Sequence, residues 1–409
     1  MPATLAELIS DDRVEFEELH QRYGPVLNLV NVLIGVVPNC DPYLEIWPAG
    51  FRTYNLMVPN FLNLPPMLFG RGAPKDIVGL AMYTSSRAAS CAYCSAHTCS
   101  FALRRGSSAD AVTGAKRTDV EQAAVDISEA LSFIPHYYTP EYKKRLVAEL
   151  GPSDAEWVVM GVAMMGFLNK FMDAMGIELE AESVGDVADL IEPTGWSVGQ
   201  HGWAGVERAD GSTPPPTDTL GTFIRVGRNA RGAIKLEKTW MEGIPKQQAA
   251  IRSHVADIYG YDEPLITAMA HAKPARALGA MLRHNLDPSQ SELGVDKKAL
   301  AGLVFAVAAG NERLVAAQRT LAEQHGATTA EVEAAASPDL DLAAAGLDDA
   351  TAAVLTAARA IAPSPAAVDA PVIGLVADQL SSAQTVELAV WVSVCQLIHR
   401  LSVYFEMTD

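Results

Sequence analysis

Cys91, Cys94 and His97 stand three residues apart in the run CAYCSAH. On a helix beginning near Ser90, residues three apart are neighbours on one face, so the two sulfurs would be adjacent. That spacing lets a disulfide close without unwinding the backbone. The first cysteine would sit at the helix N-terminus, where unpaired N–H groups and the macrodipole favour a thiolate. A thiolate attacks a peroxide oxygen or another disulfide. His97 lies one turn beyond Cys94, and histidine ordinarily titrates near neutrality, as a proton shuttle requires. One thiolate could therefore attack a peroxide and release an alcohol. The resulting sulfenic acid would condense with the neighbouring thiol to a disulfide, which a reductant resets. Such a cycle needs no cofactor beyond the Cys91–Cys94 disulfide itself.

Two other readings of the same residues stand beside this one. Cys91, Cys94, His97 and Cys99 would supply four ligands for zinc. On one helix, however, Cys99 is about 80° round from Cys91 while Cys94 and His97 run the other way. Four tetrahedral ligands from nine consecutive helical residues would need a break in the helix or a partner ligand from elsewhere. The third reading is a pair of inert core cysteines, the role expected of Cys40 and Cys395 and favoured for Cys99. Around the motif, Tyr83, Arg87 and Tyr93 are candidates for a substrate pocket. Arg87, four residues before Cys91, could lower its pKa or hold a carboxylate; a solvated surface arginine is the plainer role. Tyr93 could wall a pocket or fill a core. His136-Tyr137-Tyr138 could line a pocket or pack as a surface loop.

The elements that must carry these residues read as helices. The chain has 409 residues, enough for two or three domains, and alanine and leucine recur at three- and four-residue spacing. Residues 155–175 and 383–405 are the clearest cases, with Ser153 and Ser382 as expected N-caps. Residues 222–226 (TFIRV) are the best strand candidate. From 195 to 235 glycine and proline are dense, which predicts a linker or irregular excursion; Trp196, His201 and Trp203 could make it a lid.

The segments before and after that excursion resemble each other. Leu80-Ala81 aligns with Leu300-Ala301, and Gly106 with Gly326, at an offset of 220. Further on, 149–153 resembles 379–383, and 167–171 resembles 397–401, at an offset of 230. The extra residues fall within 335–349. Cys91 then aligns with Asn311, Cys94 with Leu314 and His97 with Ala317, so the second half would keep a fold without the site.

The formal net charge of −18 argues against a nucleic-acid or anionic-membrane partner, since both need clustered Lys and Arg. The N-terminus has several acidic residues and no export signal, and the most apolar runs, such as 157–167, read as too short to span a bilayer. A cytoplasmic location is expected. Five cysteines, three of them within nine residues, fit redox or metal chemistry better than a disulfide scaffold.

Cys-Ala-Tyr-Cys followed closely by His at the start of an alanine-rich helix resembles the AhpD-like, or carboxymuconolactone decarboxylase-like, superfamily. Other segments that resemble the family are Gly35-Val36-Val37-Pro38-Asn39, the stretch Ser128 to Pro135, then Thr139 to Leu150 with Ser153-Asp154, and 168–176. The resemblance covers about 30–180 well and 260–407 weakly. It implies an all-α fold that oligomerises through its helices, with the cysteine helix facing an apolar pocket. It implies hydroperoxide reduction by the cysteine pair, with a histidine and a glutamate relaying protons. Carried over, Cys91 and Cys94 match the redox pair and His97 the relay histidine. Family histidines often stand one residue further on, at Thr98 here. The family glutamate would fall near Gly79, where this chain has no carboxylate. Both cysteines favour redox chemistry over lactone decarboxylation.

The expected protein is therefore all-α, with two tandem AhpD-like helical domains, the second lacking the cysteine motif. Its segments are 1–194 with the CxxC centre, 195–245 as Gly/Pro-rich linker or lid, and 246–409 as the degenerate domain. The expected function is peroxidase chemistry on a small hydroperoxide, through Cys91, Cys94 and His97, with a thiol/disulfide reductant as partner and a homo-oligomer as the assembly. A non-redox enzyme acting on a small metabolite in the same pocket, and a binding or scaffold protein, are the alternatives.

Overall fold

The computed structural model describes residues 2–202, 217–340, 342 and 345–408. Among these, the chain forms 21 α-helices and five short 3-10 turns and no strand, so the all-α class holds. At the centre lie two long helices, Pro152–Met175 and Ser382–Tyr404, packed on one another. They touch closely at Gly166, where an added Cβ would meet Arg400 Cδ at 2.9 Å. Arg400 is itself buried, and its guanidinium donates to Ser85 Oγ at 2.6 Å and to the Val162 carbonyl at 2.8 Å. Both helices are apolar on every side, the composition of an element surrounded by protein. Contrary to the expectation from the shorter runs, both are long and apolar enough to cross a membrane; 94% and 100% of the apolar windows are buried inside the fold.

Their starts differ by a residue or two from expectation. Ser381, not Ser382, caps the last helix, in a capping box with Gln384. The other begins after Gly151 with Pro152 in its first turn, so Ser153 lies inside the helix.

The cysteine helix, Ala92–Arg105, packs along the preceding helix, Lys75–Ala88. Gly79 makes the approach possible, since a Cβ there would fall 2.7 Å from Ala102 Cα. Three residues join the two helices, and Ser90 turns the chain with φ 58°. Cys91 N–H then donates back to the Ser86 carbonyl at 3.1 Å. The helix pair Val295–Ala309 and Glu312–Gln324 is joined in the same way. Gly310 has φ 63°, and Asn311 N–H donates to the Ala306 carbonyl at 3.1 Å.

Residues 220–240, read from sequence as irregular with a strand at 222–226, form the helix Leu220–Trp240. Thr222 and Val226 are four residues apart and bury one helical face, which a short β-branched run does not reveal. Of its glycines, Gly232 has a packing role: a Cβ there would strike Pro25 at 2.6 Å on helix Phe16–Ile34. Just ahead of this helix, Asp218 pairs with Arg105 and Lys75, each at 2.8 Å, and so ties the segment to the end of the cysteine helix. Trp203 lies outside the described residues.

Candidate active site

Cys91 is the N-cap of its helix. Its Sγ accepts the Cys94 backbone N–H at 3.3 Å, the bond a serine or asparagine makes in that position. The two cysteines are therefore brought together by capping as well as by helical spacing. Both are buried and both are free thiols. Ser95 and Thr98 hydroxyls turn inward and donate to the Cys91 and Cys94 carbonyls, at 2.8 and 2.5 Å.

Cys94 and His97 open onto one cavity, together with Tyr93, Tyr54 and Thr98. The rest of its wall is apolar, with Met82, Met164, Met165 and Met172 prominent. The cavity holds about 610 Å³ of empty space, counting its open mouth. Tyr93 packs edge-on against the His97 ring, with centroids 4.4 Å apart. Of the other two residues expected at a pocket, neither is here. Tyr83 and Arg87 line a separate, more polar cleft with Glu129 and Arg117. Arg87 donates to the Thr194 carbonyl at 3.1 Å. The reason is rotational: Tyr83 and Arg87 are four apart on the helix before the motif and face away from the wall that Met82 joins.

The carboxylate that was sought near Gly79 comes from the other side of the motif. At Gly79 the Ala102 backbone leaves no room for any side chain. Instead Glu180, the residue before helix Ala181–Ile191, brings Oε2 to 2.8 Å from His97 Nε2. Neither atom meets the geometry of a formed hydrogen bond, so the carboxylate stands close behind the ring without being bonded to it. Its second oxygen accepts from the Tyr93 hydroxyl at 2.8 Å and from Asn39 N–H at 2.5 Å. Asn39 closes the Gly-Val-Val-Pro-Asn segment. Burial works against the ionised carboxylate, but His97 and the Asn39 N–H outweigh it and hold Glu180 below the usual carboxylate range. Close behind, Asp41 is fully buried with neither carboxylate oxygen hydrogen-bonded, and burial pushes it up to about 8.

On the far side of Cys91 stand two residues that spacing did not indicate, His201 and Asp173. His201 lies in the 3-10 turn Gly199–His201 of the Gly-rich excursion, and Asp173 near the end of Pro152–Met175. Their ligand-type atoms and Cys91 Sγ lie within 4.8 Å of one another. Trp196, from the same excursion, donates its indole N–H to the Ala92 carbonyl at 3.0 Å. The excursion therefore covers the start of the cysteine helix through Trp196 and His201, two of the three residues read from sequence as a possible lid. Cys99 is remote from this chemistry: burial raises its thiol to about 12. Cys40 is buried, and burial raises it as well.

The three soft or hard donors Cys91, Asp173 and His201 are a set that one metal ion could use, but they already satisfy one another and the backbone. Among the described residues the four-ligand zinc site of the motif is not assembled, and Cys99 is not part of the cavity wall that Cys94 and His97 share. Comparison with family models, with curated proteins and with solved structures finds no match to this chain.

Proposed function

We propose that this protein is a thiol peroxidase of the alkylhydroperoxidase type, acting on apolar organic hydroperoxides. The observation that carries the reading is the shared cavity: Cys94 and His97 meet in an apolar chamber, with Glu180 charged behind His97 and Cys91 against Cys94. His97 takes the Cys94 proton as the sulfur attacks the outer peroxide oxygen. The O–O bond breaks, sulfur gains the hydroxyl, and the alkoxide leaves as an alcohol with that proton. Glu180 steadies the imidazolium between those two events. Cys91 then displaces hydroxide from the Cys94 sulfenic acid to give the disulfide. A dithiol reductant returns two electrons and two protons.

The apolar wall favours an alkyl or lipid hydroperoxide over hydrogen peroxide, because burying an apolar tail stabilises the bound state by roughly 25 cal/mol per Å². Glu180 also supplies a carboxylate at His97, which supports an enzyme over a binding-only protein. For the second half we propose a duplicated copy of the fold without the chemistry, since Asn311 keeps the capping role of Cys91 and carries no sulfur.

The test is hydroperoxide consumption with a dithiol reductant. An aryl-alkyl hydroperoxide should be consumed faster than hydrogen peroxide, with loss of two titratable thiols per chain. Cys91→Ser and Cys94→Ser should each abolish turnover. Undiminished consumption by both serine variants would sink the reading.

A further inference from the structure

We infer that His201 and Asp173 are the charge partners of Cys91, a buried set that holds its sulfur as a thiolate and gives the proton that closes the Cys91–Cys94 disulfide. The inference rests on the redox reading above and adds two residues to it from the Gly-rich excursion and the central helix.

The geometry of His201 fixes its protonation. The ring is 1% exposed, so water does not serve it. Nδ1 donates to the Ile177 carbonyl at 2.8 Å, and a carbonyl can only accept. Nε2 stands 3.2 Å from Asp173 Oδ1. That carboxylate takes further hydrogen bonds, from Gln200 Nε2 to Oδ1 at 3.3 Å and from Ala366 N–H to Oδ2 at 3.2 Å. Both of its oxygens therefore accept hydrogen bonds. An imidazole with an acceptor at each nitrogen carries two protons, and an imidazolium buried beside Cys91 is the natural counter-ion of a thiolate.

The other groups that face Cys91 agree. Its own helix offers the Cys94 N–H at 3.3 Å and the positive end of the macrodipole. From the central helix, Lys170 sends its ammonium to the carbonyls of Ile361 and Ala362, at 3.0 and 2.9 Å, and to Pro363. Arg400, on the last helix, lies on the Cys94 side. Burial and Asp173 oppose a charge on Cys91. The Cys94 hydrogen bond and the nearby His201 overcome them and leave the sulfur below the ordinary thiol value.

Once Cys94 is a sulfenic acid, the Cys91 thiolate attacks its sulfur. The S–S bond forms and the S–O bond breaks. The departing hydroxide takes the His201 proton and leaves as water. Cys91 sulfur is oxidised and Cys94 sulfur is reduced by the same amount, so electrons balance. Reduction by a dithiol restores both sulfurs, and one of its protons returns to His201.

The test is the ultraviolet absorbance of the thiolate in the full-length, chelator-treated protein. Cys94→Ser should carry one thiolate per chain at neutral pH, absent when Cys91→Ser is added. In the Cys94→Ser background, His201→Gln should lower the thiolate fraction at neutral pH about tenfold or more. A Cys94→Ser protein without thiolate would overturn the inference, and that measurement stands even where the His201 variant fails to fold. A thiolate unmoved by His201→Gln, or one that appears only with added zinc, would overturn it equally. Hydroperoxide turnover is a separate readout: its absence beside a His201-dependent thiolate would overturn the peroxidase reading and uphold the ion pair.

Discussion

At the scale of single residues, the two cysteines are made different by what touches them. Cys94 faces the cavity, and burial together with its neighbour Cys91 raises its thiol well above the ordinary value. In the proposed peroxidase cycle it therefore needs a base at the moment of attack, and His97 shares its chamber. His97→Ala should slow hydroperoxide turnover by roughly a hundredfold or more, the usual weight of a positioned acid–base group. Glu180→Gln should slow it less and shift the pH–rate profile, because it removes only the charge behind the ring. Steady-state rates across pH check both. The Cys91–His201 pair also predicts how stability depends on pH. An unfolded cysteine titrates near 9.0 and an unfolded histidine near 6.5, whereas folded Cys91 lies lower and folded His201 is raised to about 10. Burial opposes that rise; the bonds to Asp173 and Cys91 produce it. Above the unfolded values the unfolded pair is bare while folded His201 keeps its proton, so stability falls as pH rises toward about 10. His201→Gln should flatten that fall in denaturation midpoints measured against pH.

At the scale of elements, the site depends on how closely the cysteine helix sits on its neighbour. Gly79→Ala would force a Cβ to 2.7 Å from Ala102 Cα, a backbone atom that cannot swing aside. Overpacking of this kind costs about 1–3 kcal/mol and should also displace Cys94 from His97. Gly227, inside helix Leu220–Trp240, has open space around its Cβ direction and serves as the control. Gly227→Ala should stabilise by about 0.5–1 kcal/mol through helix propensity alone. Thermal melts of the two variants should move in opposite directions. The N-cap is the other elemental device. Asn311 Oδ1 accepts the Leu314 N–H at 3.0 Å, and its amide nitrogen meets His399 Nδ1 at 3.2 Å. Cys91 does the same local work with a weaker acceptor. A sulfur there gives up part of the roughly 1 kcal/mol that a good cap contributes.

At the scale of the molecule, one continuous buried apolar cluster runs from Leu5 to Tyr404. The two central helices, one from each half, bury each other. Charges cross between the halves as well. Lys170 serves the end of helix Asp349–Ile361, and burial drops its pKa to about 7. Within the second half, Glu387 in the last helix pairs with Lys298 at 2.6 Å, both fully buried. Residues 1–245 expressed alone would uncover the apolar face of Pro152–Met175 and leave Asp173 without Ala366. That fragment should fail to give a cooperative thermal transition, and near-ultraviolet circular dichroism would check it. A fragment that melts cooperatively would mean the halves are independent.

Much of this was legible in the chain itself. The three-residue periodicity of Cys91, Cys94 and His97 needs only helical geometry, so the sulfur pair and its histidine follow from local sequence. The helical class follows from apolar spacing summed over long windows, and the density of alanine leaves no strand to compete. Where a single β-branched run had to decide, at 222–226, the local signal misled, because five residues cannot report the packing of Thr222 and Val226 on one helical face. The partners that give the sulfurs their chemistry come from far along the chain. Glu180 reaches His97 from 83 residues away, and Asp173 and His201 converge on Cys91 from a helix end and a short turn. No spacing rule links them, since only the burial of Pro152–Met175 against the rest of the core carries its end and the Gly-rich excursion onto the cysteine helix. Sequence determined which atoms could react; tertiary packing decided which residues surround them.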